Sequence, residues 1–172
     1  FLRAVSSATP KVADYPFTTL HPHLGVVTIG ESERFIMADL PGLIEGAADG
    51  AGLGTRFLGH VERCVALVHL IDITADDPVG AYRTVQNEIE AYGAALTEKP
   101  EIVALNKIDA VVPEEAEEKR AALARAIGKD VRLVSGVSGA GVRELVHEIA
   151  AMLRARLVDE TQAAEPETDW AP

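Results

Sequence analysis

The sequence has 172 residues, 48% of them hydrophobic and 25% charged, which is enough for one domain with a real core. Its formal net charge of −11 argues against a broad basic face for DNA or RNA. One cysteine, Cys64, excludes an internal disulfide; inside an apolar stretch it reads as a small core residue in a reducing setting. No uninterrupted apolar run reaches the about 18 residues that span a bilayer. The start, Phe1-Leu2-Arg3-Ala4-Val5, lacks the layout of a signal peptide. There is no initiator Met, so the chain reads as a fragment of something longer.

Residues 1–8 read as the tail of a helix with Phe1, Leu2 and Val5 on one side, ended by Pro10. Residues 11–23 form a polar, Pro-punctuated loop. A hairpin follows: a strand from Leu24 to Ile29, a turn at Gly30-Glu31-Ser32-Glu33, and a returning strand from Arg34 to Ala38. The segment from Gly42 to Gly54 holds five glycines, those two included, and residues 55–63 read as helical. Val65 to Ile71 is a buried strand, and Asp76-Asp77-Pro78 opens a helix to about Leu96. Ile102 to Leu105 is a second buried strand. Pro113 opens a helix whose acids (Glu114, Glu115, Glu117) precede its bases (Lys119, Arg120, Arg125), as the helix dipole favours. Val131 to Val134 is a short strand, and Gly141 to about Leu157 the last helix. From Asp159 the sequence is polar, acidic and Pro-containing and reads as a disordered tail or linker. Strand–helix alternation after residue 65 implies a parallel sheet with helices on both faces, to which the hairpin adds an antiparallel edge.

Three polar motifs end apolar strands: Asp39-Leu40-Pro41-Gly42, Asn106-Lys107-Ile108-Asp109 and Ser135-Gly136-Val137. Open α/β sheets bind ligands at that edge. The Asp109 carboxylate can accept from the ring N–H and exocyclic amine of guanine, a donor pair that adenine lacks. Asn106 can bond the N7/O6 edge, and the Lys107 stem can lie flat on the base. An unpaired buried carboxylate is costly, which rejects adenine. Asp39 can hold Mg²⁺ through water, and Gly42 lets a backbone N–H approach a terminal phosphate. Thr18 and Thr19 can reach metal and terminal phosphate together, and Ser135-Gly136 can support the base through a backbone N–H. Taken singly, the Asp-x-Pro-Gly turn and the threonines would read as ordinary turn formers.

Gly50-Ala51-Gly52-Leu53-Gly54-Thr55 resembles a dinucleotide fingerprint but has Thr55 where the last glycine belongs, so a mobile loop is expected instead. His21 and His23 share a loop with no third ligand nearby in sequence and read as surface histidines.

Tyr15-Pro16-Phe17-Thr18-Thr19-Leu20, the run Asp39-Leu40-Pro41-Gly42-Leu43-Ile44-Glu45-Gly46-Ala47 with its following glycines, Asn106 to Asp109, and Ser135 to Val137 together resemble the Obg (CgtA) family of bacterial GTPases. The likeness covers about residues 1–158. It implies a cytoplasmic GTPase that binds GTP and GDP with Mg²⁺, hydrolyses GTP slowly, responds to guanine nucleotides including alarmone forms, and acts with the large ribosomal subunit during its assembly. It implies nucleotide contacts at Phe17, Thr18, Thr19, Leu20, His21, Asp39, Leu40, Pro41, Gly42, Asn106, Lys107, Ile108, Asp109, Ser135, Gly136 and Val137, with Thr19 and Asp39 serving the metal. Residues 11–23 and 42–54 would be the two switches. No direct DNA binding and no membrane span are expected.

Two departures from the family matter. No Gly-x₄-Gly-Lys-Ser/Thr occurs, and the only Gly-Lys pair, Gly128-Lys129, is followed by Asp130. In the family that loop immediately precedes the residues matching Phe1-Leu2-Arg3, and its strand is central in the sheet. Leu43, moreover, stands where many Ras-like enzymes carry a water-orienting Gln. The expected fold is α/β and P-loop GTPase-like over residues 1–158. Its sheet is mostly parallel with helices on both faces, its N-terminal strand and P-loop are absent, and an acidic tail or linker covers 159–172. A gap is expected between the strand at 34–38 and that at 65–71. The alternative is a non-catalytic remnant or interaction module that has lost nucleotide binding.

Overall fold

The computed structural model describes residues 1–6, 11–12, 23–39, 61–92 and 97–163. In chain order these form α1 (Leu2–Val5), β1 (Lys11–Val12), β2 (His23–Ile29), β3 (Glu33–Asp39), β4 (Leu67–Asp72), α2 (Pro78–Tyr92), β5 (Glu101–Asn106), a 3₁₀ turn (Ile108–Ala110), α3 (Pro113–Ile127), β6 (Val131–Leu133) and α4 (Val142–Ala163). The strands make two sheets: β1-β2-β3, antiparallel, and β4-β5-β6, parallel.

Local chemistry sets the helix starts. Asp77 accepts the Gly80 N–H through Oδ1 at 2.9 Å, satisfying a donor of the first turn of α2. Pro113 occupies the first turn of α3, where its missing N–H costs nothing, beside Glu114 and Glu115. Gly128 ends α3 in the left-handed region at φ 68°, donating its N–H to the Ala124 carbonyl at 2.9 Å.

The core is organised by β5, whose residues Ile102 to Leu105 are all buried. Side chains alternate across a strand, so Val103 and Leu105 face α2 and α3, with Ile71, Tyr82, Ala116 and Leu123. Ile102 and Ala104 face α4, with Val134, Leu145 and Ile149. Helices therefore cover both faces of the parallel sheet, as expected from the apolar runs.

The hairpin differs from expectation. It is not hydrogen-bonded to the parallel sheet as an antiparallel edge. A cleft of about 790 Å³ separates them, with Phe35 and Met37 of β3 on one side and Val68 and Leu70 of β4 on the other. This is where the family resemblance leads one to expect a gap. Packing against α4 holds the two sheets together. Leu145 and Ile149 lie under the parallel sheet, whereas Val142 and Val146 pack on Val27 of β2. Arg154 of α4 pairs with Glu33 at the start of β3, with Nη1 2.5 Å from Oε1.

Smaller differences have local causes. Lys11 and Val12, expected in a loop, pair with Leu24 and His23, because the edge of β2 offers unpaired backbone groups. The strand at 65–71 begins only at Leu67. The last helix runs to Ala163, past the expected end near Leu157 and into the expected tail, since no Gly or Pro interrupts it before Pro166. Cys64, expected in the core, is only half-buried, and that burial pushes its thiol pKa up. The expected helix at 55–63 lies mostly outside the described residues.

At the amino end of β5, away from the polar motifs, Glu101 is a hub. Its carboxylate lies 3.2 Å from His69 Nδ1, 3.1 Å from Tyr82 Oη, 2.7 Å from Gln86 Nε2 and 2.7 Å from Lys129 Nζ. The His69 and Tyr82 rings stack at 5.1 Å. Burial alone would raise the carboxyl pKa, but the hydrogen bonds from His69 and Lys129 outweigh it and hold the value at about 2.

Two predictions follow from this packing. Leu145→Ala removes a side chain that is 1% exposed at the junction of α4 and the parallel sheet. It should cost about 2–5 kcal/mol in urea unfolding of the protein as its own gene encodes it. Glu101 has a folded pKa depressed from 4.5 to about 2. Its stabilising contribution is therefore fully present above pH 4.5 and is lost as pH falls towards 2. The stability difference between wild type and Glu101→Gln should be on the order of 2 kcal/mol at pH 6 and shrink steadily across that window. A difference independent of pH in the same urea titrations would contradict the assignment.

Candidate functional site

The carboxyl ends of β4, β5 and β6 lie side by side, because the parallel register pairs Asp72 with Asn106 and Leu105 with Leu133. Two backbone hydrogen bonds extend that register into the loops: Ile73 N–H to the Asn106 carbonyl at 3.0 Å, and Val134 N–H to the Leu105 carbonyl at 2.9 Å. The polar residues beyond the strands are thus fixed relative to one another by the sheet.

After β5 the chain turns sharply. Lys107 adopts the left-handed conformation with φ 68°, the only non-glycine residue with positive φ among those described. Such a residue is strained by about 1–3 kcal/mol and persists only where its surroundings over-determine it. Ile108 supplies part of that anchoring: its side chain packs on the core between β5 and α3, and its N–H donates to the Val134 carbonyl at 3.3 Å. Asp109 follows in the 3₁₀ turn, with its side chain exposed.

Ser135 is the polar pivot. It is 0% exposed, and its hydroxyl donates to Asp109 Oδ1. The same oxygen accepts the N–H groups of Val137 at 3.2 Å and Ser138 at 2.9 Å. The Ser135 backbone is closed by Ala140 and Gly139, at 2.9 Å each. This tight loop aims the Asp109 carboxylate and leaves its second oxygen for an incoming donor. Asn106 Oδ1 accepts the Gly136 N–H at 3.1 Å, which orients the amide. Among the described residues its N–H₂ group has no partner and can serve an acceptor such as a purine N7 or O6.

Of the residues expected to bind nucleotide, Asn106, Lys107, Ile108, Asp109, Ser135, Gly136 and Val137 come together here. Three of them show partners or exposure that the sequence did not reveal. The Gly136 N–H, expected on the base, is engaged by Asn106. Val137 is 87% exposed and contributes backbone only. The Lys107 ammonium bonds Asp72 Oδ2 at 2.5 Å. In the sequence Asp72 reads only as the residue that bounds the apolar run ending at Ile71, with no binding role. That hydrogen bond from Lys107, with those from Thr74, lowers the Asp72 pKa to about 2.

Asp39 ends β3 beside the cleft, which Asn106 also lines. It is exposed, and no ion pair engages it among the described residues. Mg²⁺ is held by one or two carboxylates together with water and phosphate oxygens. An exposed carboxylate at this edge fits that requirement. Phe17, Thr18, Thr19, Leu20, His21, Leu40, Pro41 and Gly42 lie outside the described residues.

Residues 1–107 match the family described as 50S ribosome-binding GTPase. The chain belongs to that family. A protein named GTPase Obg from Acidiphilium cryptum (strain JF-5) is 56% identical over 154 residues, covering 90% of this chain and 46% of that protein. The resemblance to Obg therefore extends along the chain and not only through its motifs, and the chain spans about half the length of that curated relative. The cytosolic domain of the T. maritima FeoB iron transporter, in a GDP form, is similar with a TM-score of 0.65 at 22% identity, over 86% of this chain and 55% of that one. The G domain of the same transporter gives 0.59 at 20% identity, over 88% and 87% of the two chains. These two likenesses concern the fold, which is that of GTPase G domains.

Within this cluster the Ser135 hydroxyl, with three hydrogen-bond partners, should be the most sensitive single group. Ser135→Ala leaves two loop N–H groups without their acceptor and should loosen the loop by about 1–3 kcal/mol. Amide hydrogen exchange at Val137 and Ser138 should accelerate accordingly, while exchange in β5 stays slow.

Proposed function

We propose that this chain carries the base-reading side of a GTP-hydrolysing switch of the Obg type. One observation carries the reading. Asn106 and Asp109, the two residues suited to the guanine edge, are each oriented by the β6–α4 loop, through Gly136 N–H and Ser135 Oγ respectively. Recognition of guanine then needs little rearrangement. Asp109 accepts from the ring N–H and exocyclic amine, the Asn106 N–H₂ group donates towards N7 and O6, and adenine would leave the carboxylate unpaired.

In this reading Thr19, and Asp39 through water, would hold Mg²⁺, which would supply charge neutralisation at the phosphate oxygens. Hydrolysis adds water to the terminal phosphorus and breaks its bond to the oxygen of GDP. Leu43 has no group to orient that water, in keeping with slow turnover. Residues 11–23 and 42–54 would order around the terminal phosphate and relax after its loss. The sequence has no Gly-x₄-Gly-Lys-Ser/Thr loop, so the backbone donors and Lys of such a loop are not supplied by these residues. The family description supports a partner in the large ribosomal subunit and, with it, a cytoplasmic setting. No helix among the described residues is long and apolar enough to cross a membrane.

The test is base choice. In the protein as its own gene encodes it, Asp109→Asn should weaken guanine nucleotide binding by about 2–4 kcal/mol and improve xanthine nucleotide binding, because an acceptor becomes partly a donor. Competition titrations with GDP and XDP read this directly, and an unchanged guanine preference would refute the reading.

A further inference from the structure

We infer that Asp72, braced by Thr74, is a positioning residue for guanine recognition. It captures the Lys107 ammonium and so holds the lysine's aliphatic stem across the carboxyl ends of β4 and β5, as the wall on which the purine lies. The inference rests on the base-reading role of Asn106 and Asp109 proposed above.

Four observations converge. Asp72 and Asn106 are register partners in the β4–β5 ladder, so Lys107, one residue further on, must reach sideways for its Nζ to meet Asp72 Oδ2 at 2.5 Å. Lys107 does so from a left-handed backbone, φ 68° and ψ 34°, which lifts it off the strand path. Asp72 is itself fixed in advance. Its Oδ1 accepts both the Thr74 N–H at 2.9 Å and the Thr74 hydroxyl at 2.7 Å, which leaves Oδ2 for the lysine. The next peptide is tied to the same edge by the Ile73 N–H to the Asn106 carbonyl at 3.0 Å.

The magnitudes favour geometry over stability as the role of this pair. The Lys107 and Asp72 side chains are 56% and 37% exposed, and ion pairs of that kind contribute at most about 1 kcal/mol to folding. A lysine stem left free loses rotamer entropy each time a base settles on it. Tethering the ammonium beforehand removes much of that cost from binding. The contact is with the base and not with the phosphates, so GDP and GTP should benefit alike. Asp72 also neutralises the lysine locally and leaves Asp109 as the charged group facing the guanine edge.

A double-mutant cycle in the protein as its own gene encodes it tests this, read by fluorescence titration with labelled GDP and GTP. Asp72→Ala should weaken both nucleotides by a similar factor, about five- to tenfold by the binding scale, with little change in thermal midpoint. Asp72→Asn, which keeps an acceptor for Lys107, should recover part of the loss. In a Lys107→Ala background, Asp72→Ala should have no further effect. A residue that merely supported the loop would weaken binding equally in both backgrounds, and that result would overturn the proposal, as would unchanged affinity in Asp72→Ala. Should Asp72→Ala unfold, Thr74→Val runs the same cycle, since it removes the hydroxyl that braces the carboxylate. Asp109→Asn serves as the control. If it shifts preference from GDP to XDP while the cycle is additive, only the role of Asp72 fails. If it leaves preference unchanged, the guanine reading fails and this inference with it.

Discussion

The burial of β5 on both faces is the constraint on which the rest of the molecule depends. Four consecutive residues, Ile102 to Leu105, are enclosed, two against α2 and α3 and two against α4. A strand buried on one face can slip by two residues and keep its pattern. One buried on both, between two parallel neighbours, has much less freedom, because every step displaces packed side chains on two sides. Asn106 is the last residue of this strand, so its position is inherited from the core. The turn that follows, with Lys107 held at positive φ, is likewise sustained by Ile108 anchored in the same packing.

The second structural relationship is the span of α4. One face of this helix seals the parallel sheet through Leu145 and Ile149, and the residues a turn earlier pack on β2. Because β3 and β4 share no hydrogen bonds, the placement of Asp39 relative to Asn106 is set by packing on α4 and α1 and not by a continuous ladder. The cleft of about 790 Å³ between those strands is lined by apolar side chains together with polar ones such as Asp39, Arg63 and Asn106, and among the described residues the facing edges of β3 and β4 are unpaired. Such edges are able to pair with another strand. Asp39 is therefore tied less directly to the ladder than the polar residues at the carboxyl ends of β4, β5 and β6.

The polar residues at the carboxyl ends of the parallel strands form a connected arrangement. Ser135 joins Asp109 to the β6–α4 loop, Gly136 joins that loop to Asn106, and Lys107 joins β5 to Asp72 on β4. Each bond is individually modest, about 0.5–1.5 kcal/mol net and somewhat more where a charge takes part. Their joint effect is on orientation: the groups proposed to meet guanine are already turned by neighbours that do not touch it. Such preorganisation lowers the ordering cost of binding without adding contacts.

Much of this was legible in the sequence. Apolar runs bounded by Asp, Asn and Ser marked β4, β5 and β6, and Pro at helix starts marked α2 and α3, because burial period and backbone chemistry are local properties. The Asn-Lys-Ile-Asp motif was legible as a polar turn ending β5, with the donors and acceptors on which the proposed base reading rests. Other features needed the tertiary structure. Asp72 looked like a strand terminator until the register set it beside Asn106. Gly136 seemed poised for a base until Asn106 took its N–H. The last helix outran its apolar stripe because nothing in the chain stops it before Pro166. The sequence by itself determined which segments are strands and helices and which residue types end them, because those depend on neighbours within a few positions. The tertiary structure alone decided which of those strand-end side chains bond one another, because that depends on register between segments about thirty residues apart, set by packing on both faces of the sheet.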